Sequence, residues 1–182
     1  MQAENNVCFE KKCPDFHPFT PPPKYSRLSS NMENWPPTQN PLPTVDIILQ
    51  REDAALVLIQ RQNPPHGWAL PGGFVDWGES CETAAKREAQ EELSVSVKLL
   101  SQLGTYSAPD RDPRLHTISV VYVAEQTSAD PVEAADDAKE ARWFHEKDIP
   151  WKELCFDHDA ILRDYFQWKK ACIACGRRPL EN

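Results

Sequence analysis

The strongest constraint on this chain lies in GGFVDWGESCETAAKREAQEELSV, which runs from Gly72 to Val95 and sets Glu79, Arg87, Glu88, Glu91 and Glu92 at fixed intervals. With Cys81 to Leu93 helical, Glu88, Glu91 and Glu92 stand at i, i+3 and i+4 and project from one face. Each like-charged pair costs an isolated helix about 0.2–0.5 kcal/mol, and crowding raises carboxylate pKa values unless a cation sits among them. Hard oxygen donors with no His or Cys among them favour Mg²⁺ or Mn²⁺ over zinc. Arg87 is the local cation able to pair bidentately with a carboxylate and hold the cluster in place. A glutamate run usually means only a solvated helix face. Here a glycine turn and an arginine fall in register with the glutamates, which that reading does not explain.

The segment resembles the Nudix box through Gly73, Glu79, Arg87, Glu88, Ala89, Glu91, Glu92 and Val95. Ser94 departs from it, standing where the family has glycine. That position is expected to close the helix in a left-handed conformation, so the departure touches local stability more than chemistry. Upstream, LVLIQRQNPPHGWALPGGF is similar to the strand, loop and Leu-Pro-Gly-Gly entry of such domains. Downstream, TYSAPDRDPRLHTISVVYVA with Pro109 resembles the branch that cleaves ADP-ribose and its regulatory relatives, and DDAKEARWF and CFDHDAIL resemble the domain's tail.

Periodicity agrees with a layered α/β domain. VDIILQ and ALVLIQ read as neighbouring strands across Arg51-Glu52-Asp53, and Val95 to Tyr106 and Thr117 to Ala124 as further strands around an irregular loop. Arg142-Trp143-Phe144 reads as a last strand, and Asp157 to Ala171 places Ile161, Leu162, Tyr165, Phe166 and Trp168 on one helical stripe. The resemblance implies the Nudix α/β/α sandwich, a mixed sheet between helices, over residues 44–175, with a tail at 176–182.

Residues 1–43 differ in composition. The proline runs of TPPPKY and NWPPTQNPLP forbid a helix or central strand. Phe16, Phe19, Tyr25 and Trp35 interrupt them, so the segment is either an arm packed on the domain or on a second subunit, giving a homodimer, or a mobile leader. A net charge of −8 disfavours a surface that tracks nucleic-acid phosphates. No stretch approaches the roughly 18 apolar residues of a membrane span, and MQAENNVCFEKKCP lacks the apolar core of a signal peptide, so a cytoplasmic protein is expected. Its six cysteines should then be reduced thiols. Cys8, Cys13, Cys172 and Cys175 would make a zinc site if the termini meet; otherwise they are free thiols.

The resemblance implies Glu88 and Glu92 as principal metal ligands, Glu91 as a further one, and the Gly73 carbonyl as completing the shell. Among Glu125, Glu133 and Glu140, with Asp136 and Asp137 nearby, Glu140 is expected to activate the water. Arg61 and Phe74 are expected to meet substrate, and Arg111 and Arg114 either contact phosphate or tie their loop through Asp110 and Asp112. His116 and His158 read as structural hydrogen-bonders. The expected activity is Mg²⁺-dependent hydrolysis of the diphosphate of nucleoside diphosphate sugars, ADP-ribose first. Alternatives are a nucleoside-triphosphate cleansing enzyme and a non-catalytic ADP-ribose sensor, the latter disfavoured because KKACIACGRRPLEN after Trp168 is too short for a winged helix.

Overall fold

The computed structural model describes residues 40–135 and 138–174. In chain order these form β1 (Leu42–Gln50), β2 (Leu56–Arg61), β3 (Trp68–Ala69), β4 (Gly72–Phe74), α1 (Cys81–Leu93), β5 (Val97–Tyr106), β6 (Thr117–Gln126), β7 (Ala138–Phe144) and α2 (His158–Ala174), with a 3₁₀ turn at Glu146–Asp148. The expected arm, the dimer contact assigned to it, Cys8, Cys13, Cys175, Asp136 and Asp137 lie outside the described residues. Cys172 carries a free thiol. No described helix is long and apolar enough to cross a membrane.

The bounds of α1 follow from its caps. Ser80 is extended and its side chain accepts from the Thr83 N–H at 3.2 Å, satisfying one of the first-turn donors. At the other end Ser94 adopts the left-handed conformation (φ 58°, ψ 26°) and its N–H reaches back to the Gln90 carbonyl at 3.1 Å.

The sheet is mixed, as expected. β1 runs parallel to β6 from Leu42↔Thr117 to Gln50↔Glu125, while β5 pairs antiparallel with β6, β3 and β7 with β2, and β4 with β1. On its other edge β1 is shared between two strands: β4 takes Thr44 to Asp46, and β2 meets it at Gln50↔Leu56. β3 and β4 are absent from the sequence reading because two or three residues flanked by proline and glycine carry no period.

Strand alternation divides the core into two layers. Val45, Ile47, Leu49, Val57, Ile59, Tyr122 and Ala124 pack with Ala84, Ala85, Ala89 and Leu93 of α1. Ile48, Leu56, Leu58, Val121 and Val123 face the other way, onto Ile161, Leu162, Tyr165 and Phe166 of α2. That is the α/β/α sandwich, and cutting Ile161 or Leu162 to alanine should cost about 2–5 kcal/mol because both are fully buried.

Candidate active site

A cavity of about 250 Å³ opens where β1 passes from β4 to β2, lined by Asp46, Arg61, Gly72, Gly73, Phe74, Glu88, Glu91, Glu92, Arg111, Arg114, Phe156 and His158 among others. One wall is α1 with the glycine turn. Gly73 pairs with Val45 across the sheet, and a Cβ at Gly73 would lie 2.3 Å from Glu88 Oε1, so only glycine lets that carboxylate rest against the backbone. At Gly72 an added Cβ would lie 2.1 Å from the Val45 carbonyl oxygen. Its N–H donates to Glu92 Oε2 at 2.8 Å.

Arg87 organises the remaining carboxylates. It grips Glu79 bidentately (Nε to Oε1 3.0 Å, Nη2 to Oε2 2.9 Å), donates from Nη1 to Glu88 and Glu91 at 2.8 Å each, and donates from Nη2 to the Phe74 carbonyl at 2.9 Å. Glu79 therefore supports the turn, where its Oε2 also accepts from the Asp76 N–H. Glu88 and Glu92 are buried while Glu91 stays exposed. Burial raises the Glu88 carboxyl, with Arg87 pulling the other way. It pushes Glu92 up to about 8, opposed by the Gly72 N–H and reinforced by Glu88.

These groups fit a divalent cation. Their donors are all oxygen, and two of the carboxylates are held buried and close together although both resist ionisation there. Among the described residues no three His, Cys, Asp or Glu side chains form a preformed cage. Mg²⁺ does not require one, since it keeps several waters and shares its shell with substrate phosphates.

The opposite wall carries cations. Arg61 ends β2, donates from Nε to the Pro65 carbonyl at 3.0 Å, and lies 5.0 Å from the Phe156 ring centroid. Arg114 lies over the same ring at 5.2 Å and is fixed by Asp112 through Nε (3.0 Å) and Nη2 (2.8 Å). Arg111 behaves differently. It is buried, with Nε and Nη2 on Asp157 (3.0 and 2.7 Å), Nη1 on Thr117 (3.0 Å) and Nη2 also 3.3 Å from Asp46. All three guanidinium nitrogens are thus engaged within the protein, and the tie is made through Asp157 rather than Asp110. Arg111 nevertheless lines the cavity.

Beneath this wall lies a polar network that the sequence reading did not find. Asp46 accepts from Ser119 Oγ at 2.5 Å and approaches His158 Nε2 at 3.4 Å, while His158 Nδ1 accepts from the Leu70 N–H at 2.9 Å. Burial pushes the Asp46 carboxyl up, but His158, Ser119 and Arg111 together hold it below the ordinary aspartate value. His158, which the sequence reading took for a structural hydrogen-bonder, links α2 to the Leu-Pro-Gly-Gly turn.

Glu140 lies away from the cavity. Gln60↔Glu140 pairing puts its side chain on the sheet face shared with Leu58 and Phe144, toward α2, where it is paired with Arg142. The glutamates of α1 lie across the opposite face, and Glu140 does not line the cavity. Glu125 pairs with Lys98 at 3.3 Å toward the far end of β6 from Thr117, which lines the cavity. Glu133 sits on the exposed loop whose N–H groups cap the carbonyls of Leu93 and Glu92. Phe74 lines the cavity and is half exposed. His116 bonds the Ser107 carbonyl at 3.3 Å.

Comparison with known proteins bears on this geometry. The model of the NUDIX domain matches residues 40–168. The chain is 44% identical over 131 residues to an ADP-ribose pyrophosphatase of Methanocaldococcus jannaschii, covering 71% of this chain and 76% of that protein. The NUDIX domain of Shewanella oneidensis NrtR, solved with ADP ribose, superposes with a TM-score of 0.65 at 28% identity, covering 75% of this chain and 94% of that one. A bifunctional NMN adenylyltransferase/ADP ribose pyrophosphatase of Francisella tularensis, solved with AMP and a Mn ion, gives a TM-score of 0.65 at 28% identity over 73% of this chain and 43% of that one. The chain belongs to the Nudix hydrolase family.

Proposed function

We propose that this Nudix hydrolase cleaves the diphosphate of nucleoside diphosphate sugars, ADP-ribose first, with Mg²⁺ as its cofactor and Mn²⁺ as a substitute. The observation that carries this reading is one cavity with two charged walls: the Glu88–Glu92 pair against the Gly72–Gly73 turn, and the Arg61–Arg114 pair on Phe156. The 44% identity to an ADP-ribose pyrophosphatase supports the substrate class.

Glu88, Glu92, the Gly73 carbonyl and, directly or through water, Glu91 would hold the cation. When bound, it neutralises diphosphate oxygens and makes water a stronger acid. The chain's own residues supply the rest. Arg61 and Arg114 present guanidinium donors to the anion, and the Arg87 web holds the carboxylates at fixed positions so that little reorganisation accompanies the reaction. Glu91 lines the cavity and is the most exposed of its carboxylates, so it replaces Glu140 as the group that takes the proton of the attacking water. Water adds across the P–O–P bridge, and ADP-ribose gives AMP and ribose 5-phosphate. The cavity is smaller than the roughly 300–1,000 Å³ of pockets that enclose a whole drug-sized ligand. It accommodates the diphosphate, and the half-exposed Phe74 is placed to meet a part of the substrate that extends beyond the rim.

The test is a panel of ADP-ribose, GDP-mannose and 8-oxo-dGTP with Mg²⁺ and with Mn²⁺, products resolved by ion-exchange chromatography. AMP and ribose 5-phosphate formed from ADP-ribose at the highest kcat/KM support the reading. Preference for 8-oxo-dGTP points to triphosphate cleansing, and tight ADP-ribose binding without products points to a sensor.

A further inference from the structure

Of four consecutive residues, Cys155 to His158, two line the cavity, Phe156 and His158, and the others bond to what surrounds it. The Cys155 N–H donates to the Trp68 carbonyl at 2.8 Å, Phe156 lies under Arg61 and Arg114, Asp157 holds Arg111, and His158 holds Leu70. Phe156 stands out because its backbone is left-handed (φ 58°), a rare conformation for a bulky residue, and this sets a large ring in the cavity wall, backed by the core on the α1 side. Its ring touches two cations that approach from distant parts of the chain, the end of β2 and the loop before β6.

We propose that Phe156 is a positioning residue for substrate binding: its ring holds Arg61 and Arg114 as a pair of guanidinium groups spaced to grip one diphosphate. This rests on the reading of the substrate as a diphosphate. Each arginine is anchored by its Nε, to the Pro65 carbonyl and to Asp112, and each lies over the ring. Without the ring the two cations would repel and relax apart, because among the described residues no carboxylate forms a close ion pair with Arg61, which feels Glu92 only at longer range, and a single one, Asp112, pairs with Arg114. The negative quadrupole of the ring face offsets that repulsion without neutralising either charge, as a carboxylate there would. The second guanidinium edges then remain available to an anion, with the geometry already fixed.

The experiment measures binding of inorganic pyrophosphate by calorimetry to the full chain and to Phe156→Leu, Phe156→Tyr and Arg61→Gln/Arg114→Gln, with Phe156→Leu also made in the double-arginine background. The expected result is about tenfold weaker binding for Phe156→Leu, binding within about twofold for Phe156→Tyr, and no further loss from Phe156→Leu once both arginines are gone. In steady-state assays Phe156→Leu should raise KM with kcat little changed. Equal losses in the Leu and Tyr variants, wild-type affinity in the Leu variant, additivity with the arginine pair, or no pyrophosphate binding by the wild type would each overturn the proposal. A wild type that binds pyrophosphate in the expected pattern but cleaves no nucleoside diphosphate sugar removes the substrate reading and leaves the role of Phe156 standing.

Discussion

The two walls of the cavity are built on opposite plans. The glutamate wall is local: Gly72 to Leu93 supplies all of it, and one arginine ties Glu79, Glu88 and Glu91 together within a few residues of helix and turn. The arginine wall is assembled from β1, the end of β2, the loop before β6 and the start of α2, over a buried network centred on Asp46. The first wall holds carboxyls whose charged form burial disfavours, as the raised Glu88 and Glu92 show, and a bound cation would offset that. Beneath the second, the Asp46–Arg111–Asp157 network has its charges compensated within the protein, with Asp46 held below the ordinary aspartate value. Changes to the first wall should therefore appear in chemistry and changes to that network in stability.

The largest effect is expected from Glu92→Gln. Loss of a cation ligand worth several kcal/mol of charge stabilisation should lower kcat/KM about 10³-fold or more. The fold should be unharmed. Because burial raises the folded carboxyl to about 8 from an ordinary 4.5, its favourable contribution to stability is complete below about pH 4.5 and is lost as pH rises through about 8. In chelator at pH 9 the glutamine variant should melt at or above the wild-type temperature. Substantial activity at saturating Mg²⁺ would remove Glu92 from the cation site.

Glu91→Gln and Glu140→Gln sharpen the same comparison across the sheet. With Glu91 as proton acceptor its amide should lose about 10²–10⁴ in kcat, whereas Glu140, on the α2 side and paired with Arg142, should lose less than about twofold. A reversed order in single-turnover rates would return the base to β7.

For the arginine wall, Asp46→Asn should cost about 2–4 kcal/mol in urea unfolding, since it leaves part of the buried Arg111 charge uncompensated while Asp157 remains. Its folded pKa lies below the ordinary value of 3.8, so the Asp46 contribution is present above about pH 3.8 and lost as pH falls through the folded value. The asparagine variant should thus lose stability less steeply than wild type below about pH 4. A cost under about 1 kcal/mol would mean the network is not structural.

The same division decides what could be read before the structure. Caps, helix bounds, strand alternation and the carboxylate face are local, so Cys81–Leu93, the longer strands and the α2 stripe were legible, while the mixed sheet came only with the family resemblance. The pairing Gln60↔Glu140 was not, and one residue of register decides which face a side chain takes. Nor could sequence show that Arg111 meets Asp157 or that Phe156 meets two arginines, since those contacts join segments far apart in the chain. One signal was available: Asp46 is a lone carboxylate inside the apolar run VDIILQ, and a charge at such a position is rarely buried without partners.

The smallest effect belongs to Ser94, the position that departs from the pattern of the box. Ser94 ends α1 at φ 58°, a conformation costing a non-glycine residue about 1–2 kcal/mol. Among the described residues its hydroxyl makes no hydrogen bond that would offset this; the cap itself uses the backbone N–H. Ser94→Gly would relieve the strain but lose about 0.5–1 kcal/mol to the greater freedom of glycine in the unfolded chain. The net should be a stabilisation of about 0.5 kcal/mol, seen as a rise of about 1–2 °C in Tm for a chain of this size. Because Ser94 touches neither wall of the cavity, kcat and KM for ADP-ribose should stay within about twofold. A lower Tm would show that serine is favoured there by something other than backbone geometry, and a changed kcat would show that the end of α1 is coupled to Glu91 and Glu92, two or three residues away.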